Sequence, residues 1–336
     1  MNAGRPVLLA TLWVLTISAA SLQAGFTQIV AFGDSLTDTG NVYNLLGDLV
    51  VGPPNYQGRF SNGPIYIERL AERLGIAPPT SSRTGGTNYA YGGAQTGTGN
   101  SSFVIPNIST QVNTYIASLP LIDPGQLFVV YGGANDFISN QNNPNIPISN
   151  LSSNIAALSA QGATNFLVPN LPPLGATPGS LGSVNESRLN DLSVAFNIGL
   201  SAELSRLEST MGVNIYRLDT FGLVQDALAN PSAYGLTNVT QAAYNSAAGS
   251  VVPNPNEYLF WDTQHPTATG HRLLGDRAFA SVPEPTLVGL MPLLIALTVT
   301  LRQSRFAPRN RRHSRVSLRE TGVLPHLSLL GCEIIN

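Results

Sequence analysis

Two short runs in this chain, Gln28–Phe32 (QIVAF) and residues 127–131 (LFVVY), are apolar almost throughout and rich in β-branched and aromatic side chains. A strand with one solvated face alternates apolar and polar residues, so unbroken runs of this kind require cover on both faces, as central strands of a parallel sheet have. Residues 165–168 (NFLV) and 213–218 (VNIYRL) read as further strands. Helical patterns lie between them. The clearest is Glu186–Met211, where Leu189, Leu192, Ala195, Phe196, Leu200, Leu204 and Leu207 recur at three- and four-residue steps, a stripe that belongs to a core and not to a cofactor. Residues 65–74 and 271–279 carry shorter amphipathic patterns. Strands alternating with helices, with no fixed-period repeat, predict an α/β fold. The expected form is a single three-layer α/β/α domain around a central, mostly parallel sheet, with ligands beyond the carboxyl ends of its strands.

Both ends of the chain read as addresses. Residues 1–24 hold Arg5, an apolar stretch and Leu22-Gln23-Ala24 before Gly25, the order of a secretory signal peptide, with a buried first helix as the competing reading. Near the other end, Val282-Pro283-Glu284-Pro285 precedes an apolar segment and then Arg302, Arg305, Arg309, Arg311 and Arg312. Cations behind a short apolar helix hold a membrane segment on the cytoplasmic side; a buried terminal helix with a solvated basic end is the alternative. The body is acidic, since residues 25–281 carry 9 Arg against 16 acidic side chains. Such a body lacks the cationic surface that displaces counterions from phosphates, which excludes nucleic acid as a partner. Cys332 is the only cysteine, so an intrachain disulfide, a redox pair and a cysteine zinc site are excluded, and stability rests on packing.

Chemistry-bearing residues cluster where strands end. Gly33-Asp34-Ser35-Leu36-Thr37-Asp38 follows the first strand at once, and a helix starting after Ser35 would offer free N–H groups to an oxyanion. Gly132-Gly133-Ala134-Asn135-Asp136 follows the second apolar run, and Asn88-Tyr89-Ala90-Tyr91-Gly92-Gly93-Ala94 lies between the two. Taken singly, each block is ordinary turn chemistry. A serine hydroxyl needs a base to take its proton and a carboxylate to orient that base. Trp261-Asp262-Thr263-Gln264-His265 supplies such a pair, and the body's only other histidine is His271, which leaves two candidates for the base. Residues 41–55 and 140–147 read as loops that shape a pocket.

Taken together and in this order, the four blocks resemble the GDSL, or SGNH, hydrolase family over nearly the whole body, with supporting stretches at residues 58–64, 168–175 and 230–235. The resemblance implies an SGNH-hydrolase, flavodoxin-like fold and cleavage of lipid or short-chain carboxylic esters through an acyl-enzyme. It implies Ser35 as nucleophile with His265 and Asp262, and an oxyanion hole from Ser35, Gly93 (or Gly92) and Asn135, with no metal or organic cofactor. The Gly-x-Ser-x-Gly elbow of α/β-hydrolases is absent around Ser35. Residues 282–312 resemble a PEP-CTERM sorting segment, which implies a membrane helix, processing by an exosortase and delivery to the cell surface or matrix; residues 313–336 continue beyond that pattern. Two other functions fit the same residues: O-deacetylation of an exopolysaccharide, and carbohydrate binding without turnover.

Overall fold

The computed structural model describes residues 25–102 and 104–283. The expected signal peptide, the sorting segment beyond Pro283 and the 313–336 extension lie outside the described residues. Among the described residues no helix is long and apolar enough to cross a membrane.

Four strands, β1 (Gln28–Phe32), β2 (Gln126–Val130), β3 (Asn165–Pro169) and β4 (Asn214–Leu218), form one parallel sheet in the order β1-β2-β3-β4. Every residue of β2 and β3 is buried, which accounts for their lack of alternation. The outer edge of β1 is not bare. Ala31 N–H donates to the Thr87 carbonyl at 3.0 Å and the Ala31 carbonyl accepts from Tyr89 N–H at 2.7 Å, so residues 87–89 lie parallel beside β1. The chain therefore leaves β1 toward one side and returns to β2 on the other. That reversal opens a crevice beyond the carboxyl ends of β1 and β2, the place where open α/β sheets hold ligands.

The helices are α1 (Asn41–Leu46), α2 (Asp48–Val51), α3 (Tyr66–Leu74), α4 (Ile108–Ala117), α5 (Ala134–Ile138), α6 (Asn145–Ala160), α7 (Glu186–Met211), α8 (Thr220–Ala229) and α9 (Ala268–Ser281). Helix α3 packs on α9, while α4, α6 and α7 pack on one another, so the sheet is covered by two helical layers. Leu189, Leu192, Phe196, Leu200, Leu204 and Leu207 of α7 are all buried, as their spacing predicts. A smaller parallel pair, β5 (Asn238–Ala242) and β8 (Tyr258–Phe260), and the hairpin β6 (Tyr244–Asn245) with β7 (Ser250–Val251) lie outside the main sheet.

Phe128 of β2 is fully buried, edge-on to Tyr115 of α4 and 5.9 Å from the Phe166 ring of β3. Removing it leaves a cavity between helix and sheet that neighbours cannot fill. Phe128→Ala is expected to lower stability by about 3–5 kcal/mol, read as a shift in the urea unfolding midpoint; a loss below about 1 kcal/mol would contradict a close-packed centre here.

Candidate active site

Ser35 sits on the turn that ends β1. Its conformation is fixed from behind by Gln111 of α4, whose buried amide takes both backbone groups of Gly33: Gly33 N–H donates to Oε1 at 2.9 Å and Nε2 donates to the Gly33 carbonyl at 2.9 Å. Gly33 is required sterically, because a β-carbon there would lie 2.8 Å from the Tyr131 carbonyl oxygen. Thr37 and Asp38 N–H both donate to the Asp34 carbonyl at 3.0 Å. This is a turn, and the first helix begins only at Asn41, so the expected helix N-terminus at Ser35 is not formed. Any oxyanion at this position meets loop N–H groups and not a helix dipole.

The base arrives from the far end of the domain. Trp261 is buried, stacks on Tyr244 at 5.2 Å and donates its indole N–H to Asn55 Oδ1 at 2.8 Å. Its backbone N–H donates to the His265 carbonyl at 2.7 Å, which closes the loop 261–265. Within it Asp262 Oδ1 accepts from the Gln264 and His265 N–H groups, each at 2.8 Å. The His265 ring then spans the gap, with Nδ1 2.7 Å from Asp262 Oδ2 and Nε2 2.8 Å from Ser35 Oγ. An ionised carboxylate only accepts, so Nδ1 carries the proton toward Asp262 and Nε2 is left to accept from the serine hydroxyl. Burial pushes the Asp262 carboxyl up, but the adjacent His265 and the loop's N–H donors outweigh it and hold its pKa below the ordinary value.

His271 has a different surrounding. It is fully buried on α9, its Nδ1 accepts from Tyr66 N–H at 3.2 Å, and burial lowers its pKa to about 3. It keeps α9 against α3 as a neutral ring, and the histidine that meets Ser35 is His265.

Two further loops converge on Ser35. Gly93 adopts φ +84°, open to glycine at little cost, and makes no hydrogen bond among the described residues. Gly92 N–H is already given to Asp38 Oδ2 at 3.0 Å. Of the two glycines, Gly93 is therefore the one with a free donor. Asn135, in the first turn of α5, donates one amide hydrogen to the Ala94 carbonyl at 2.9 Å. That bond orients the amide and leaves its second N–H for another acceptor.

Two buried carboxylates that sequence reasoning did not single out, Asp38 and Asp136, hold these loops together, and a third, Asp34, lies within the serine turn. Asp38 accepts from Gly40, Asn41 and Val42 N–H at 2.8, 2.5 and 3.1 Å as well as from Gly92, so it ties the serine turn to the glycine loop. Asp136, next to Asn135, accepts from Thr96 N–H at 3.0 Å and Thr96 Oγ1 at 2.8 Å, which ties the glycine loop to α5. Asp34 lies below the serine and accepts from Leu36 N–H at 3.0 Å. Burial raises both Asp34 and Asp38 to about 6. Asp38 and Asp136 stand inside the two blocks quoted for chemistry, so their position was available; Gln111 lies 78 residues from Gly33, and no local pattern marks it. Among the described residues no group of three or more His, Cys, Asp or Glu side chains could hold a metal ion.

Ser35, Asn135 and His265 open onto a cleft whose walls include Leu36, Ile138, Pro173, Leu174 and Val224. None of the described residues that line it belongs to 41–55 or 140–147. Within them, residues 41–46 and 48–51 form α1 and α2 and α6 starts at Asn145, while 52–55 and 140–144 are loop; the segment after β3, helix α8 and strand β8 shape the cleft.

Residues 29–278 match the family model described as GDSL-like Lipase/Acylhydrolase. A phosphatidylcholine-sterol acyltransferase of Aeromonas hydrophila is 30% identical over 256 residues, covering 74% of this chain and 74% of that one. Esterase EstA of Pseudomonas aeruginosa is 28% identical over 83% of this chain and 50% of its own length, and a GDSL esterase/lipase of Arabidopsis thaliana is 29% identical over 81% and 90%. The chain spans about half the length of some of the curated relatives it matches, EstA among them.

The raised pKa of Asp34 sets a direction for stability. Its folded-state value of about 6 lies above the ordinary 3.8, so the folded state holds the proton more tightly than the unfolded chain. The resulting stabilisation is complete below about pH 4 and is lost as the pH rises through about 6. Asp34→Asn cannot ionise and is expected to lower the urea midpoint at about pH 4 relative to that at about pH 7, compared with the wild type. An unchanged or raised midpoint at about pH 4 relative to that at about pH 7 would contradict the burial of this carboxyl.

Proposed function

The chain belongs to the GDSL-like lipase/acylhydrolase family, and from that membership and the geometry of the site we propose that it hydrolyses carboxylic esters through an acyl-enzyme on Ser35. The observation that carries this reading is the unbroken relay from Asp262 through His265 to Ser35, with contacts of 2.7 and 2.8 Å. His265 Nε2 takes the serine proton as Oγ attacks the ester carbonyl. Charge then gathers on the carbonyl oxygen, where the free Gly93 N–H, the second Asn135 amide hydrogen and Ser35 N–H receive it. The imidazolium protonates the departing alcohol, and the acyl group remains on Ser35. Water enters, His265 takes its proton as the oxygen adds to the acyl carbon, and the tetrahedral intermediate collapses with cleavage of the bond to Ser35 Oγ, to which His265 returns the proton as the carboxylic acid leaves. Asp262 stays ionised throughout and keeps the ring in one tautomer.

The cleft offers hydrocarbon a surface, because half of the side chains lining it are aliphatic or proline and Phe260 adds an apolar ring. That supports a lipid or acyl ester over the acetylated exopolysaccharide that is the rival substrate. A carbohydrate-binding role without turnover has no use for the Ser35–His265 contact.

Export belongs to the same proposal. Residues 1–24 serve as signal peptide, residues 25–281 are the hydrolase domain, and residues 282–312 form a PEP-CTERM-type segment that spans the membrane until an exosortase acts. The secreted protein is expected to begin at Gly25, read by intact mass and N-terminal sequencing; material that retains residues 1–24 outside the cell would contradict it.

The catalytic reading is tested with p-nitrophenyl butyrate and an acetylated polysaccharide as substrates. Ser35→Ala and His265→Ala are expected to lose about 10⁶ in kcat, and Asn135→Ala about 10²–10³, each with an unchanged circular dichroism spectrum. A folded wild type inert on both substrates would overturn the enzyme reading.

A further inference from the structure

Residues 58–64 (GRFSNGP) take no part in the relay from Asp262 to Ser35, and none of them lines the cleft. They lie instead along the segment that carries the base. The Phe60 ring stands 5.1 Å from the His265 ring at 35°, the buried Ser61 Oγ donates to the Pro266 carbonyl at 2.9 Å, and Asn62 Oδ1 accepts from Ala268 N–H at 2.7 Å. Three consecutive side chains thus meet residues 265, 266 and 268 in chain order. The close approach continues at Gly63, where a β-carbon would come 2.7 Å from Ala268 Cβ. The stretch is itself anchored. Arg59 donates to Glu68 Oε1 at 2.7 Å, and Glu68 Oε2 accepts from Ile65 N–H at 2.9 Å, both at the start of α3. A β-carbon on Gly92 would lie 2.3 Å from the Phe60 ring, so that ring touches the glycine loop as well as the base.

We propose that residues 60–62 are positioning residues for His265: Phe60 packs against the imidazole, while Ser61 and Asn62 pin the backbone that follows it. The inference rests on the ester-hydrolase reading and adds no step to it. Asp262 holds the ring at Nδ1 alone, and a planar ring held at one atom can still tilt about it, which swings Nε2 away from Ser35 Oγ. An aromatic ring packed beside it, at the centroid spacing that paired rings prefer, opposes that tilt. The backbone needs the same restraint. Bonds from Trp261 N–H to the His265 carbonyl and from Thr267 N–H to the Leu259 carbonyl close the segment on itself. The contacts from residues 60–62 tie it to α3 and to the glycine loop. Asn62 also satisfies one of the free N–H groups in the first turn of α9. Proton transfer depends steeply on this placement, since a shift of about 1 Å in a reacting group costs about 10² in rate.

Phe60 and Asn62 are each only partly buried, so substitutions there are tolerated better than in the core. The test uses the full chain, p-nitrophenyl butyrate as substrate and the urea midpoint as the measure of folding. Because neither side chain lines the cleft, Phe60→Leu is expected to lower kcat about tenfold to a hundredfold with KM nearly unchanged. Asn62→Ala is expected to lower kcat about tenfold, and Asn62→Asp, which keeps an acceptor for Ala268 N–H, to restore most of that loss. Residues that only stabilise the fold would move the urea midpoint and leave turnover of the folded protein alone. Wild-type kcat in both folded Phe60→Leu and Asn62→Ala therefore overturns the proposal, as does a folded Asn62→Asp no faster than Asn62→Ala; if one position does not tolerate change, the other decides. Crystal structures of the same variants separate this proposal from the hydrolase reading. His265 Nε2, 2.8 Å from Ser35 Oγ in the wild type, is expected to move out of hydrogen-bonding range in Phe60→Leu and Asn62→Ala, whether or not an ester is cleaved. If the wild type cleaves no ester, the hydrolase reading fails and this displacement decides alone. A ring turned away from Ser35 then supports the positioning role, and a ring that stays in place in the folded variants overturns it.

Discussion

Asp38 is the point on which the site's geometry depends. Its carboxylate is buried and takes four backbone N–H donors, three from Gly40, Asn41 and Val42 at the start of α1 and one from Gly92. Carboxylates are costly to bury, and this one is tolerated because its lone pairs are filled by amides that have no other partner. In return it fixes the distance between the serine turn and the glycine loop. Tyr91 N–H donating to the Gly33 carbonyl at 3.1 Å and the Asn41 amide donating to the Ala90 carbonyl at 2.8 Å join the same two segments. Asp136 does the same for the Asn135 segment through Thr96, and Gln111 does it for Gly33. Three loops from three strand ends thus behave as one rigid surface.

The sheet explains why those loops meet. Residues 87–89 lie on one side of β1 and β2 lies on the other, so the chain reverses direction across the sheet at β1. Loops leaving adjacent strands on either side of a reversal diverge from one another and leave a crevice between them. Ser35 follows β1, the Gly92-Gly93 loop follows the segment 87–89 beside it, and Asn135 follows β2. The His265 loop enters from the opposite end of the chain because α9 packs on α3, and the His271 ring accepting from Tyr66 N–H is part of that contact.

Strongly patterned elements were legible in the sequence. β1 and α7 have the boundaries that their apolar patterns predict, and β2 starts one residue earlier than expected. Helices α4 and α6 were not, since Ser, Thr, Asn and Gln interrupt their apolar faces (ISTQVNTYIA, NIPISNLSSNIAALSA). Residues 41–55 read as loop and contain α1 and α2, each too short to show a helical period and separated by Gly47. The residues that meet at the site were visible because Gly-rich strand ends concentrate them locally. What supports them was not: Gln111 to Gly33, Trp261 to Asn55 and Thr96 to Asp136 are contacts across 78, 206 and 40 residues. Burial and hydrogen bonding at such separations exist only once the fold has formed.

We propose that His265, held by Asp262, activates Ser35 as a nucleophile. An alkyl fluorophosphonate reacts covalently with such a serine, and mass mapping of peptides locates the adduct. A single adduct on Ser35 is expected in the wild type and none in folded His265→Ala within the same time. Labelling elsewhere, no labelling of the wild type, or equal labelling of Ser35 without His265 would contradict it.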